Sequence, residues 1–230
     1  TITLERFEGD TFPPEGWVVN DGLVETGEPQ WTWGPETCQV QTGAGGQKAA
    51  WSVGGGAQGS SLGCWTPYSQ PVRATMLYSG IDASNYAGGV RISFVFRADW
   101  PDRESFRACW VTAPDQERAD CYYWNVSAEQ MNRWLTVNEQ VLEDTGGEAF
   151  VGVFFLYEDQ EPDGSRRGAI VDNILIEGLT EEVTEEPTAE PPTPRPSRTP
   201  VPTAKPRTGF DIYLPLIAKR ISMDNLPPPV

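Results

Sequence analysis

Along residues 1–179, apolar and polar positions alternate in short segments interrupted by Gly, Pro, Asn and Asp. This period of two puts successive side chains on opposite faces of a strand. The sharpest alternation is Val90-Arg-Ile-Ser-Phe-Val-Phe-Arg97, and residues 106–111, 149–157 and 169–177 are further predicted core strands. Earlier strands are predicted at 1–7, 18–20, 49–53 and 74–79. Residues 127–137 carry a mixed signal. Ser127-Ala-Glu-Gln130 has the form of a capping box that opens a helix, whereas Trp134-Leu-Thr-Val137 reads equally well as a strand. Residues 54–63 read as a long glycine-rich loop. Many short strands divided by such loops predict an all-β domain over 1–179: a two-sheet antiparallel β-sandwich, a jelly roll.

The pattern changes at Thr180, where Thr-Glu-Glu-Val-Thr-Glu-Glu-Pro gives way to Pro-Pro-Thr-Pro-Arg-Pro-Ser-Arg-Thr-Pro. Proline lacks the backbone donor and fixes φ, so residues 180–209 are predicted to be a Pro-rich extended linker, outside any helix or central strand. About 27 residues at ~3.1 Å each would reach on the order of 80 Å. An acidic block (Glu181, Glu182, Glu185, Glu186, Glu190) precedes a basic one (Arg195, Arg198, Lys205, Arg207), and the two can pair within or between chains. Threonines between prolines are candidates for O-linked sugars.

Residues 210–230 form a C-terminal tail with one further predicted β-strand. Phe210, Ile212, Leu214 and Leu216 share a face, with Tyr213 and Ile217 beside them, and Pro215 blocks pairing only at its own amide. Exposing that face would forfeit about 1.5–3 kcal/mol per large side chain, so the segment is expected to be covered. It can fold back on its own domain, join a neighbour's sheet or be handed to surface machinery.

Composition narrows the chemistry. A net charge of −16 and a pI near 4.3 argue against nucleic acid and anionic lipid as partners. The absence of histidine removes the usual triads and imidazole metal sites. Asp99, Asp102, Glu104, Glu143 and Asp144 could supply paired carboxylates, but no spacing selects a pair, and the chain is read as non-enzymatic. Cys38, Cys64, Cys109 and Cys121 lack metal spacing and are expected to form disulfides. Three connectivities exist, of which the sequence-local Cys38–Cys64 and Cys109–Cys121 are preferred. Disulfides call for an oxidising compartment, so the protein is expected to be secreted, extracellular or at a cell surface after loss of a signal peptide. No apolar run approaches the ~20 residues of a transmembrane helix. Asn125-Val-Ser127 matches a glycosylation sequon by chance.

Nine tryptophans are many for this length. Trp17, Trp31, Trp33, Trp65 and Trp100 fall in loop-like surroundings; Trp17, Trp31 and Trp65 are the candidates for an exposed sugar-stacking platform, burial in loop-covering clusters being the alternative.

Leu4-Glu-Arg-Phe-Glu-Gly-Asp-Thr-Phe-Pro-Pro-Glu-Gly-Trp17, Trp31-Thr-Trp-Gly34, Ala49-Ala-Trp51 and Gly168-Ala-Ile-Val-Asp-Asn-Ile-Leu-Ile176 together resemble a bacterial extracellular jelly-roll family. These are the MAM-like or choice-of-anchor domains, also found at the C-terminal end of immune-inhibitor-A type secreted peptidases. The resemblance implies a calcium ion where the first and last strands meet, held by Glu8 and Asp172 with help from Asp10 and backbone carbonyls. Asn173 replaces a second aspartate of the family pattern, which implies weaker affinity. Ile212-Tyr-Leu-Pro-Leu-Ile217 resembles the Tyr-Leu-Pro-Leu-(Ile/Val) endings that follow Thr/Pro spacers in secreted proteins of one bacterial phylum, where they look like attachment or sorting elements.

The expected function is a secreted structural subunit that self-assembles into a homopolymeric filament or surface array. Phe210, Ile212, Tyr213, Leu214, Leu216 and Ile217 of each tail would dock on a neighbouring subunit. The alternative is a cell-surface adhesion or carbohydrate-binding module, with glycan partners, whose tail serves only as an anchor.

Overall fold

The computed structural model describes residues 1–36, 46–63, 65–99, 105–114, 116, 119–124 and 126–180. Within them lie β1 (Thr3–Glu5), β2 (Trp17–Asp21), β3 (Thr32–Glu36), β4 (Ala49–Gly55), β5 (Val72–Ile81) and β6 (Gly89–Ala98). The chain continues through β7 (Phe106–Val111), β8 (Asp120–Tyr123), β9 (Trp134–Leu142), β10 (Val151–Asp159) and β11 (Ala169–Leu179), with one helical turn, α1 (Gly56–Gly59), after β4.

The antiparallel pairs β4–β11, β5–β10, β6–β9 and β7–β8 are nested one inside the next. Successive pairs fall in opposite sheets: a six-stranded sheet in the order β3-β4-β11-β6-β9 with β1 on β11, and a five-stranded sheet in the order β2-β5-β10-β7-β8. A long hairpin rolled over on itself in this way is the predicted jelly roll.

Alternation decides which face each strand buries. On β6, Val90, Ile92, Phe94, Phe96 and Ala98 are buried, while Arg91, Ser93, Val95 and Arg97 face outward. On β10, Val153, Phe155 and Tyr157 point into the sandwich from the other side. The two faces meet through aromatic rings, Phe94 lying edge-on to Phe155 at 5.0 Å and Phe96 lying 5.3 Å from Phe106. Such pairs add about 0.5–1.5 kcal/mol each to the stabilisation from burial alone. Trp33 on β3 donates its indole N–H to the Ala74 carbonyl on β5 at 3.1 Å, a bond from one sheet to the other.

Three expectations are corrected. The helical reading of 127–137 gives way to β9, although the local signal exists: Gln130 Oε1 accepts the Ser127 N–H at 3.0 Å and the Gln130 N–H returns to the Ser127 carbonyl at 2.9 Å. Asn132 then takes φ 57°, which stops the turn, and residues from Trp134 onward pair with β6. The predicted loop at 54–63 begins inside β4 and contains α1. Strands β3 and β8 were not predicted, because Thr-Trp-Gly-Pro-Glu and Asp-Cys-Tyr-Tyr are too short or too interrupted to show a period of two. Most of the predicted linker and the whole tail, including the assembly residues 210–217, lie outside the described residues.

Candidate functional site

Across the six-stranded sheet, Gly34, Trp51, Ile170, Arg97 and Trp134 stand in register on β3, β4, β11, β6 and β9. Their chain neighbours Ala50, Val171 and Phe96 point into the core, so this row faces out. An outward row of a half-solvated sheet is ordinarily polar. Here Trp51 and Ile170 are nevertheless buried, because Trp65 lies against Trp51 with ring centroids 6.3 Å apart. The Arg97 guanidinium sits over the Trp65 ring at 5.0 Å, and its cross-strand neighbour is Trp134. Trp65 and Trp134 are both partly exposed. The result is an apolar floor with a guanidinium over one partly exposed indole and a second partly exposed indole at the paired position of the next strand.

Carboxylates surround that floor. Glu36, paired with Ala49, and Asp172, paired with Val95, are buried at neighbouring outward positions, and the Glu36 charge acts on Arg97. Asp99, two residues beyond Arg97, has a side chain 2% exposed. Its Oδ2 accepts the Arg167 N–H at 2.8 Å and lies 3.5 Å from the Arg167 guanidinium. The Trp51 indole N–H donates to the Arg167 carbonyl at 2.5 Å, so the segment before β11 is pinned to the face from two sides. Gly168 makes the entry into β11 at φ +86°; a Cβ there would approach Ser52 Oγ to 2.6 Å, where Ser52 accepts the Ala169 N–H.

Burial lowers the proton affinity of Arg97 and raises that of Asp99, the Asp99 shift being opposed by its bonds to Arg167. Among the described residues, Arg97 Nε and Asp99 Oδ1 are buried without a hydrogen-bond partner. Both atoms are covered by the protein itself and lie out of reach of a ligand on the face.

The loops that carry Trp65 and Arg167 are tied together beneath the site. The Tyr68 N–H donates to the Arg166 carbonyl at 3.0 Å. The Tyr68 hydroxyl bonds that of Tyr157 and donates to Asp159 Oδ2 at 2.7 Å, and Arg166 pairs with Asp159 at 2.5 Å. Burial, first of all, drives both phenols well above the usual tyrosine range. This cluster is a positioning device, because it fixes the backbone on either side of the face.

The predicted platform residues separate. Trp17 is 4% exposed and packs among Phe7, Tyr78 and Phe155; Trp31 is 6% exposed and lies 6.0 Å from Tyr68. Neither offers a free ring face, and only Trp65 of the three belongs to the outer surface. Trp33 is likewise in the core. Arg97, Trp134, Trp51 and Glu36 escaped the sequence reading. For Arg97 and Trp134 a signal existed in the alternation of 90–97 and in Trp134-Leu-Thr-Val137, but which face would be solvated depends on the partner sheet.

The residues of the calcium site implied by the family resemblance have partners within the chain. Glu8 Oε1 accepts the backbone N–H groups of Gln47 and Lys48 at 2.7 and 3.1 Å, and the Lys48 ammonium takes the Gly9 carbonyl at 2.7 Å. That ammonium also lies 3.8 Å from Asp10. The Lys48 ammonium is a cation supplied by the chain beside Glu8 and Asp10, and among the described residues no group of three or more His, Cys, Asp or Glu is arranged to hold a metal ion. Cys109 and Cys121 form the expected disulfide across β7 and β8, whereas Cys38 and Cys64 lie outside the described residues. Asp102, Glu104, Trp100 and Asn125 lie outside them as well.

No family model and no curated relative matches the chain, so the MAM-like and choice-of-anchor resemblance extends here only to a β-sandwich. Similar solved structures include a carbohydrate-binding module in complex with β-1,4-galactotriose (10% identity, TM-score 0.43, covering 76% of this chain and 94% of that one). Another is the family 11 carbohydrate-binding module of Clostridium thermocellum in complex with a β-1,3-1,4-mixed-linked tetrasaccharide (14% identity, TM-score 0.39, covering 79% and 99%).

Proposed function

We propose that this chain is a non-catalytic carbohydrate-binding module of a secreted or cell-surface protein, with its site on the outer face of the six-stranded sheet. The observation that carries this reading is two partly exposed indoles at one outer face, Trp65 under the Arg97 guanidinium and Trp134 paired with Arg97 on the next strand, with Trp51 and Ile170 buried in the same row. A pyranose presents an apolar C–H face that stacks on indole, and hydroxyls that both donate and accept. The partly exposed Arg97 guanidinium supplies donors beside the Trp65 ring. In this reading the tail anchors the module; self-assembly through it rests on the sequence pattern alone.

The test is titration calorimetry with neutral β-linked oligosaccharides, β-1,4-galactotriose and mixed-linked glucan tetrasaccharide first, extended to a glycan array. We expect saturable binding that Trp65→Ala and Trp134→Ala each weaken about tenfold or more, the loss of ~1.4 kcal/mol expected for an exposed stacking residue. Val141→Thr, at the far end of β9, should leave it unchanged. Absence of saturable binding to any neutral glycan would reject the proposal.

A further inference from the structure

Both neighbours of β6 carry a bulge at one level, that of Ser93. The pairing gains an extra residue between Asp172 and Leu175 on β11 and between Val137 and Gln140 on β9. Within these bulges Asn173 and Glu139 each take φ 52°, a left-handed backbone that is uncommon outside glycine. A bulge bends its strand and re-aims side chains, and bulges gather next to active sites. Here they bring polar groups onto the outer face. Ser93 Oγ accepts the Glu139 N–H at 2.8 Å, which leaves its own proton to donate. The Asn173 side-chain N–H donates to Asp172 Oδ2 at 3.4 Å, so this amide shares the outward side of β11 with Asp172. Ser93 and Asn173 are partly exposed, and Asn138 is exposed. Ser93 stands four positions before Arg97 on β6, about 14 Å at ~3.4 Å per residue. Between the two levels lie the partly exposed Val95 and its exposed partner Thr136.

We propose that the crease at Ser93 is a second subsite of the same face, so that the site takes a linear neutral oligosaccharide lying along β6 and selects for its length. The inference rests on the sugar-binding reading and adds to it. One end of the ligand stacks at Trp65 and Trp134, and a ring further along places its hydroxyls on Ser93, Asn138 and Asn173. Amides and a hydroxyl both donate and accept, as sugar hydroxyls do. Two linked pyranose rings do not cover the distance between the levels, so a disaccharide reaches one subsite at a time. A longer chain engages both, and its second contact then forms within one complex at a high effective concentration.

The test is titration calorimetry of the full chain with two-residue and six-residue oligosaccharides of mixed-linked β-1,3-1,4-glucan and of β-1,4-galactan. In the series that binds, the longer chain should bind at least tenfold more tightly than the shorter. Asn173→Gly suits the left-handed backbone and removes only the amide, and Asn138→Ala lies at an exposed position. Each should lower the affinity for the longer chain about fivefold and leave that for the shorter unchanged, whereas Trp134→Ala should weaken both. Equal affinity for the two lengths, or binding of the longer chain indifferent to both asparagine variants, would overturn the second subsite and leave the sugar-binding reading standing. An equal loss at both lengths in those variants would overturn it too, because they would then act through the fold. Failure of the sugar-binding reading itself shows differently, as no binding of either series by the unaltered chain, and overturns this inference with it.

Discussion

Trp17, Trp31 and Trp65 carry the same side chain in similar stretches of sequence, and the protein uses them differently. Burial among Phe7, Tyr78 and Phe155 makes Trp17 a core residue; a position outside the sheet leaves Trp65 partly open. Phe155 sits where rings from both sheets meet, and Phe155→Ala should cost about 3–5 kcal/mol, read as a lower denaturation midpoint in urea. Tyr68 and Tyr157 make a prediction about pH. Their folded phenols hold protons more tightly than the ordinary value of 10.0, so their stabilising contribution is complete below that pH and is lost as pH rises above it. In an alkaline titration followed at 295 nm, these two tyrosines should ionise only together with unfolding. Early ionisation of all the tyrosines in the folded chain would contradict the buried pair.

At the scale of elements, β6, β10 and β11 were legible because their alternation is long and regular, and their burial follows it. β9 was ambiguous for a physical reason. A real capping turn forms at Ser127–Gln130, but Asn132 ends it at φ 57° and the residues from Trp134 pair with β6 instead of continuing as a helix. The Cys109–Cys121 disulfide clips β8, a short end strand, onto β7. Replacing both cysteines by alanine should cost about 2–4 kcal/mol in denaturant unfolding, while the binding proposed for the opposite sheet should stay intact. Loss of binding in that variant would tie the two faces together more closely than their separation in the fold implies.

For the whole molecule, the family resemblance implied calcium, and the Lys48 ammonium beside Glu8, Gly9 and Asp10 argues for a chain-supplied cation. Adding EDTA to the full chain should therefore leave Tm unchanged, and millimolar calcium should not raise it; a ligand that bound only the folded state would do so by mass action. The sequence by itself determined the β class, most strand positions, the composition break at Thr180, the apolar side of the tail and the exclusion of histidine chemistry. These follow from local period and composition, which act within a few residues. Only the tertiary structure decided that β4 meets β11 and β5 meets β10, which tryptophans are covered, and that Trp65, Arg97 and Trp134 share one face. Those contacts join residues far apart in the chain, and alternation tells that a strand has two faces without telling which of them another sheet will bury.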